Sequence, residues 1–332
     1  MIRLAIVSFA HMHAWSYIRV VKELEAEGKA VLEAIYDDNT ERLRKAAEIY
    51  KPKNVYSSFD KVIENKEIDA VIIASENARH AMYAIPLMKE GKHVLVEKPI
   101  ATTINDAKQM VEAAKKSNVK LQVAFVMRYH DAAIEVKNIV NKLGKIWYIT
   151  STNHGTCPFD WFVDPVLAGG GAMMDHIVHV ADLIRFYTGR EFYEVTAFIG
   201  RNLYPELKVE DNALLIAKLD DGTPVSIDCS WSRPKTWPTW GDVYMHIVGE
   251  RGAIILNAFN QNIWIANTNS FKWHYFGPDA DKNMILDFID CIKKDRKPKA
   301  TGEDGLKALE VVVAAYKSAK EGRPIKISEI EQ

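Results

Sequence analysis

The sequence predicts an α/β chain of two domains, a doubly wound parallel sheet followed by an α+β domain on a large open antiparallel sheet. Three observations carry this. Short β-branched runs alternate with helix-period segments through residue 124, paired strand-like runs meeting at tight turns appear beyond residue 125, and the tail returns to helix period. The expected limits are 1–124 for the first domain, 125–300 for the second, and 301–332 for a C-terminal helix and tail packing back on the body.

The first domain's strands are read at 2–8 (IRLAIVS), 30–37 (AVLEAIYD), 69–75 (DAVIIAS), 92–98 (KHVLVEK) and 120–126 (KLQVAFV). Their near-continuous apolar character is that of strands covered by helices on both faces. Between them TERLRKAAEIY (40–50) puts Leu43, Ala46, Ala47 and Tyr50 on one helical face, and INDAKQMVEAAKKSN (104–118) ends on Asn118 as a C-cap. In the second domain a helix is expected around 132–144, then a strand, a turn at Gly169, Gly170 and Gly171, and the helical run AMMDHIVHVADLIRFYTG (172–189). The stretch 211–232 carries an Asp-Gly turn between two runs and reads as a hairpin, and 242–258 continues the sheet with Glu250, Arg251 and Gly252 at its tip. Residues 284–298 and 303–322 are helical, with Gly322 as a stop.

With 332 residues, 48% of them apolar, the chain can bury two sizeable cores. A net charge of -1 supplies no basic field for nucleic acid or an anionic membrane, so neither partner is expected. Cys157, Cys229 and Cys291 are odd in number and outside any C-x-x-C pattern, which argues against a disulfide framework or a thiolate zinc site and for a reducing cytoplasm. There is no signal-peptide pattern and no apolar run of membrane-spanning length.

Three constellations bear chemistry. After the first strand, Ser8, Phe9, Ala10, His11, Met12 and His13 occupy the place of a glycine-rich phosphate turn, with Ser8, Ala10 and His13 where the three glycines would stand. Ser8 and Ala10 are small enough to keep the bend. His13 either pushes the following helix outward or turns its imidazole to the ligand. Asp37 ends the second strand, where a carboxylate accepts the ribose hydroxyls of NAD and repels the 2′-phosphate of NADP; alternatively Asp37 and Asp38 only begin a turn and cap the next helix. His11 and His13 read as polar loop groups or phosphate donors, and no metal is expected.

In the second constellation Asp175, His179 and Asp182 lie at i, i+4 and i+7 on one helical stripe behind the three glycines, either a carboxylate-tuned general acid/base or a solvated polar face. In the third, Glu97, Lys98 and Pro99 close the strand 92–98, at the carboxyl end where open α/β sheets hold ligands; Lys98 either stabilises charge on a substrate oxygen or is a surface lysine.

Taken in order, EKPIATT, GGGAMMDHIVHVAD, SENARHAMYAIPLMKEGKHVLVEKP and TGEDGLKALEVVVAAYKSAKEGRPIKI make the chain similar, over nearly its whole length, to the Gfo/Idh/MocA family of nicotinamide-dependent oxidoreductases. The resemblance implies an N-terminal Rossmann domain and a C-terminal domain whose open sheet forms the interface of a homodimer or homotetramer. It implies NAD rather than NADP as cofactor, and a sugar, polyol or sugar derivative oxidised at a secondary alcohol or reduced at the ketone. Lys98 would contact the reacting oxygen, His179 would be the general acid/base, and Asp175 would orient the site. Asp37 and Asp38 would hold the adenosine ribose, residues 8–13 the pyrophosphate, and Ser75, Glu76, Asn77, His80 and Glu97 would line the nicotinamide side, with a cis peptide before Pro99. Arg128, Tyr129, His154, Asp160, Trp161 and His176 are expected around the substrate, with Trp231 and Trp240 as stacking faces. Two other activities fit the same fold: a non-catalytic sugar or nucleotide sensor, and an NAD-retaining lyase or glycosidase working through transient oxidation.

Overall fold

A computed structural model describes residues 1–332 apart from 238–240, 267, 269–270, 276 and 331–332. In chain order the elements are β1 (Ile2–Val7), α1 (His13–Ala26), β2 (Ala30–Tyr36), α2 (Thr40–Tyr50), β3 (Asn54–Tyr56), α3 (Phe59–Glu64), β4 (Ala70–Ile73), α4 (His80–Lys89), β5 (His93–Val96), α5 (Ile104–Lys116) and β6 (Leu121–Val123). There follow α6 (Asp131–Ile139), β7 (Ile146–Gly155), α7 (Pro165–Ala168), α8 (Ala172–Thr188), β8 (Phe192–Gly200), β9 (Asn212–Leu219), β10 (Pro224–Ser230), β11 (Gly241–Gly249) and β12 (Gly252–Asn257). The chain ends with β13 (Asn262–Ala266), β14 (Phe271–Tyr275), α9 (Ala280–Lys293), α10 (Gly302–Glu321) and β15 (Ile325–Lys326). They form two compact units, residues 1–126 with 280–306, and residues 127–279 with 307–332. Among the described residues no helix is long and apolar enough to cross a membrane.

The first unit is a six-stranded parallel sheet in the order β3-β2-β1-β4-β5-β6. Leu4, Ala5, Ile6 and Val7 of β1 and all of β4 are fully buried, which is why these runs are continuously apolar; each large side chain so buried contributes about 1.5–3 kcal/mol. The order reverses between β1 and β4, so their carboxyl ends open on the crevice such sheets use for ligands. The sixth strand, β3, is three half-buried or exposed residues at the sheet edge, with no apolar run to announce it. Asn118 takes the left-handed conformation just beyond α5, as its C-cap reading requires. Residues 280–306 cluster here, whereas the sequence reading put 280–300 in the second domain and 301–306 in the C-terminal helix and tail. The reason is α9: Met284, Ile285 and Phe288 are buried, Ser16 Oγ donates to Asp281 at 2.5 Å, Lys282 reaches Glu27 at 2.6 Å, and Gln122 Nε2 donates to the Met284 carbonyl at 3.2 Å.

The second unit holds a seven-stranded sheet in the order β12-β11-β7-β10-β9-β8-β15. Both expected hairpins are present, β9/β10 turning at Gly222 (φ +87°) and β11/β12 turning between Gly249 and Gly252. The sheet is not wholly antiparallel, since β7 and β10 pair in parallel. α8 covers one face, and its apolar residues Met173, Ile177, Val180, Leu183 and Ile184 are buried together with Leu215, Ile227 and Met245. The burial of β9 alternates strictly, leaving Leu214 and Ile216 exposed on the other face.

Candidate active site

In the first unit the turn after β1 has no glycine, yet Ser8 stands at φ +69°, the left-handed conformation that the first glycine of a phosphate turn supplies. Such a conformation costs an L-residue about 1–2 kcal/mol. Hydrogen bonds hold it: Ser8 N–H donates to Tyr36 O at 2.8 Å, and Ala10 N–H to Ser8 Oγ at 3.2 Å. Four further amides also end on the chain. Phe9 N–H donates to Asp37 at 2.6 Å, His11 N–H to Ala74 O at 3.0 Å, His13 N–H to His11 Nδ1 at 3.1 Å, and Ala14 N–H to His11 O at 3.0 Å. His11, itself buried, thus caps α1 as an asparagine would, while Met12 is exposed.

Glu97, at the end of β5, is 1% exposed and accepts from three donors. Its Oε1 takes the Tyr17 hydroxyl and His13 Nδ1–H, the latter at 2.9 Å, and Oε2 takes the Lys98 amide at 2.9 Å. Burial pushes its carboxyl up, but the facing imidazoles of His11 and His13 and the Lys98 ammonium outweigh this and hold it well below the usual carboxylate range. For His13 the balance is the converse: burial disfavours its charge, Glu97 and Asp281 favour it more strongly, and its pKa lies above the ordinary histidine value. His11, His13 and Glu97 bring possible ligand atoms within 4.8 Å of one another. Because His11 Nδ1 accepts an amide proton, its Nε2 carries the ring hydrogen. A metal-binding histidine shows the opposite polarity, donating from one nitrogen and ligating with the other. His11 is thus set to hydrogen-bond rather than to ligate.

Lys98 is 4% exposed and precedes a cis peptide to Pro99. His80 is fully buried, with Nδ1 2.9 Å from Pro99 O and Nε2 3.2 Å from Ser75 O, and burial lowers its pKa despite those carbonyls. It ties the Lys-Pro bend to the loop after β4, where Ser75, Glu76 and Asn77 are also buried. Asp37 is 1% exposed and its two oxygens receive Phe9 N–H, Asn39 N–H at 2.7 Å, and Arg42 through Nε and Nη2 at 3.0 and 2.9 Å. The exposed carboxylate at this strand end is Asp38, flanked by Arg42 and Arg79, whose charges hold its pKa below the ordinary value against burial.

In the second unit the glycine run sets α8 in place. A Cβ on Gly170 would lie 1.8 Å from Tyr316 Oη, and one on Gly171 would lie 1.9 Å from Glu210 O. That close approach lets Glu210 cap the helix from 39 residues away: Oε1 accepts Gly171 N–H at 2.9 Å, Met173 N–H at 3.0 Å and the Tyr316 hydroxyl at 2.7 Å. α8 then presents Asp175 and His179 one turn apart, 6% and 7% exposed. Asp175 Oδ2 accepts Trp231 Nε1–H at 3.1 Å and lies 3.2 Å from His176 Nε2. His176 Nδ1 lies 2.8 Å from Asn153 O, to which it donates.

The other expected substrate residues are dispersed within this unit. Arg128 is buried in a two-pronged pair with Asp182, both contacts at 2.7 Å, with its guanidinium 4.8 Å from the Phe186 ring. Asp182 is therefore separated in role from Asp175 and His179, although all three share a stripe. Tyr129 is 1% exposed. His154 has Asp242 at 2.8 Å on Nδ1 and Asp228 at 3.2 Å on Nε2. Burial works against its charge, but the two carboxylates raise its pKa to about 9. Trp161 is buried and stacked on Phe162 at 3.9 Å, beside an exposed Asp160 at φ +51°. Trp231 is packed among Cys157, Ala172 and Val209, and Trp240 lies outside the described residues. Sequence reasoning missed Tyr17, Glu210 and Asp211; Asp211 is fully buried and gathers the amides of Asn202, Leu203 and Tyr204. Only the neighbouring acids Glu210 and Asp211 ahead of an apolar strand offered a signal.

Comparison with known proteins agrees with this architecture. Residues 4–125 match a family model described as an oxidoreductase family, NAD-binding Rossmann fold, and residues 136–327 match its C-terminal alpha/beta domain. The chain is 27% identical over 316 residues to a myo-inositol 2-dehydrogenase of Thermotoga maritima, covering 91% of this chain and 92% of that protein. It is 26% identical over 280 residues, 80% of each chain, to a scyllo-inositol 2-dehydrogenase (NAD(+)) of Bacillus subtilis. A crystal structure of a probable dehydrogenase from Thermotoga maritima superposes with a TM-score of 0.86 at 25% identity, covering 99% of this chain and 100% of the other.

Proposed function

The chain belongs to the Gfo/Idh/MocA family of oxidoreductases, and from that premise we propose that it is an NAD-dependent dehydrogenase acting on a secondary alcohol or ketone of a polyol, sugar or sugar derivative. The observation that carries the enzymatic reading is the burial of Lys98, Asp175 and His179 to 4%, 6% and 7% exposure. Ionisable groups are rarely kept so far from water without a task, because each desolvated charge costs several kcal/mol.

The residues present fit the cofactor: a left-handed Ser8 in the phosphate turn, a buried polar strand end at Ser75 to Asn77, and the exposed acid Asp38 after β2. Asp38 would take the adenosine ribose, with the already saturated Asp37 fixing the turn beneath it. NAD, when bound, takes up the hydride. Lys98 holds the substrate oxygen and stabilises negative charge there. His179 removes the hydroxyl proton in oxidation and returns it in reduction, and Asp175, steadied by Trp231 and His176, orients substrate beside it. Absorbance at 340 nm across a panel of inositols and sugars tests this. Turnover is expected, and Lys98→Ala and His179→Ala each lower kcat by about a hundredfold or more. Tight sugar binding with no turnover on any member of the panel would replace the enzyme with a sensor.

We also propose a homodimer or homotetramer, on the ground that the uncovered sheet face exposes Phe198, Leu214, Ile216 and Ile255, and a reducing cytoplasmic setting, on the ground that all three cysteines are free and buried. Light scattering of Ile216→Lys against the parent chain checks the first.

A further inference from the structure

In a glycine turn the backbone N–H groups receive the pyrophosphate. Here the amides of Phe9, Ala10, His11, His13 and Ala14 are all engaged by the chain itself, so the turn keeps its bend but has given away most of its donors. The side chain at the third glycine position supplies one in exchange. His13 opens α1 and hands Nδ1–H to the buried Glu97. With Nδ1 occupied, Nε2 on the opposite edge of the ring is the nitrogen left to donate, and the side chain is 32% exposed. The groups facing His13 are Glu97 and Asp281, the Lys98 ammonium, the Tyr17 ring at 6.1 Å and the His11 ring at 4.4 Å. His11 accepts the His13 amide on Nδ1.

We propose that the imidazolium of His13, anchored by Glu97, binds the dinucleotide's pyrophosphate through Nε2–H in place of the missing amide donors, and that cofactor affinity therefore depends on the protonation of this one side chain. The sign follows from the ring. When His13 loses its proton, Nδ1–H stays on Glu97 and Nε2 turns a lone pair toward the phosphate oxygen, replacing attraction with repulsion. The elevation of its pKa by Glu97 extends the charged form toward neutral pH, in the direction cofactor binding needs. Glu97 is a positioning residue in this scheme and touches no phosphate. The inference rests on the NAD reading above.

The test is calorimetric and fluorescence titration of NADH, ADP-ribose and adenosine between pH 5.5 and 9.5 at fixed ionic strength. The expected result is a Kd for NADH and ADP-ribose that is flat on the acid side and rises up to about tenfold per pH unit above the His13 pKa, while adenosine, which lacks the pyrophosphate, shows no step. His13→Gln abolishes the step and binds ADP-ribose at least tenfold more weakly than the parent at acid pH. Glu97→Gln moves the step to lower pH, a displacement that loss of packing alone would not produce. NADH binding that is equally tight in parent and His13→Gln, with no step in either, would overturn the inference and leave the dehydrogenase reading intact. Failure of the parent chain to bind NADH at any pH would overturn both. The parent titration involves no substitution, so the outcome does not hang on the folding of a variant.

Discussion

Removing one partner of the Arg128–Asp182 pair is expected to unfold the second unit at much lower temperature while leaving substrate affinity alone. The guanidinium and carboxylate meet through two parallel contacts of 2.7 Å, and their side chains are 4% and 1% exposed. At an effective dielectric constant of 20, unit charges at that separation attract by roughly 6 kcal/mol, set against a desolvation penalty of several kcal/mol per ion. The intact pair is therefore worth little net. A single replacement, Arg128→Met or Asp182→Asn, strands a charge or half a hydrogen-bond set in an apolar setting and costs about 3–5 kcal/mol. For a unit of this size that is a fall in Tm of roughly 6–20 °C. The double variant Arg128→Met/Asp182→Leu should recover most of the loss, because it leaves no orphaned charge. Differential scanning calorimetry of the four proteins closes the cycle, and KM on the best polyol gives the second readout. Additive losses in Tm, or an Arg128→Met protein of parental Tm whose KM rises tenfold, would show that Arg128 serves substrate and refute the structural assignment.

Three further outcomes are expected. His154 has a folded pKa of about 9 against an ordinary 6.5, so its ion pairs stabilise by about 3 kcal/mol below pH 6.5, and this is lost as pH rises through 9; Tm followed from pH 6 to 10 should fall in the parent and be flatter in His154→Gln. Asp38→Ala should shift cofactor preference toward NADP, since Arg79 then loses its Asp38 partner and can face the 2′-phosphate, whereas Asp37→Ala should lower Tm by freeing the Phe9 and Asn39 amides; parallel NADH and NADPH titrations and melts separate the two. Gly171→Ala places a methyl group 1.9 Å from Glu210 O, so it should undo the capping of α8 and lower Tm and kcat together, with wild-type values for both contradicting the role given to the glycine run.

What was legible in the sequence is what repeats locally. Buried strands such as 69–75, the hairpin around Gly222 and the helix behind Gly171 each carry their own period or turn residue. The Lys98–Pro99 bend and the Asp175/His179 stripe were legible because their motif is contiguous. Pairings across the chain were not. Nothing in the spacing tells Arg128 that its partner is Asp182 rather than a ligand, or Glu210 that the helix it caps starts at 171, because both choices are made by the fold after the elements exist. Asp37 shows the same limit from the other side: its position after β2 is that of a ribose acceptor, yet Arg42, one helical turn on, already fills it. β3 was missed because an edge strand of three residues needs no apolar run, and the parallel β7/β10 pair because register between distant strands leaves no local mark.

The division of the first unit into residues 1–126 and 280–306 has a bearing on how the protein is made. The flank of α1 that receives α9 has no cover until the ribosome has added residues 127–279, a delay of about 8–30 s at ordinary elongation rates. During that interval the nascent sheet is a sticky, unfinished body, and chaperone occupancy on stalled chains should drop only once residue 293 has cleared the exit tunnel.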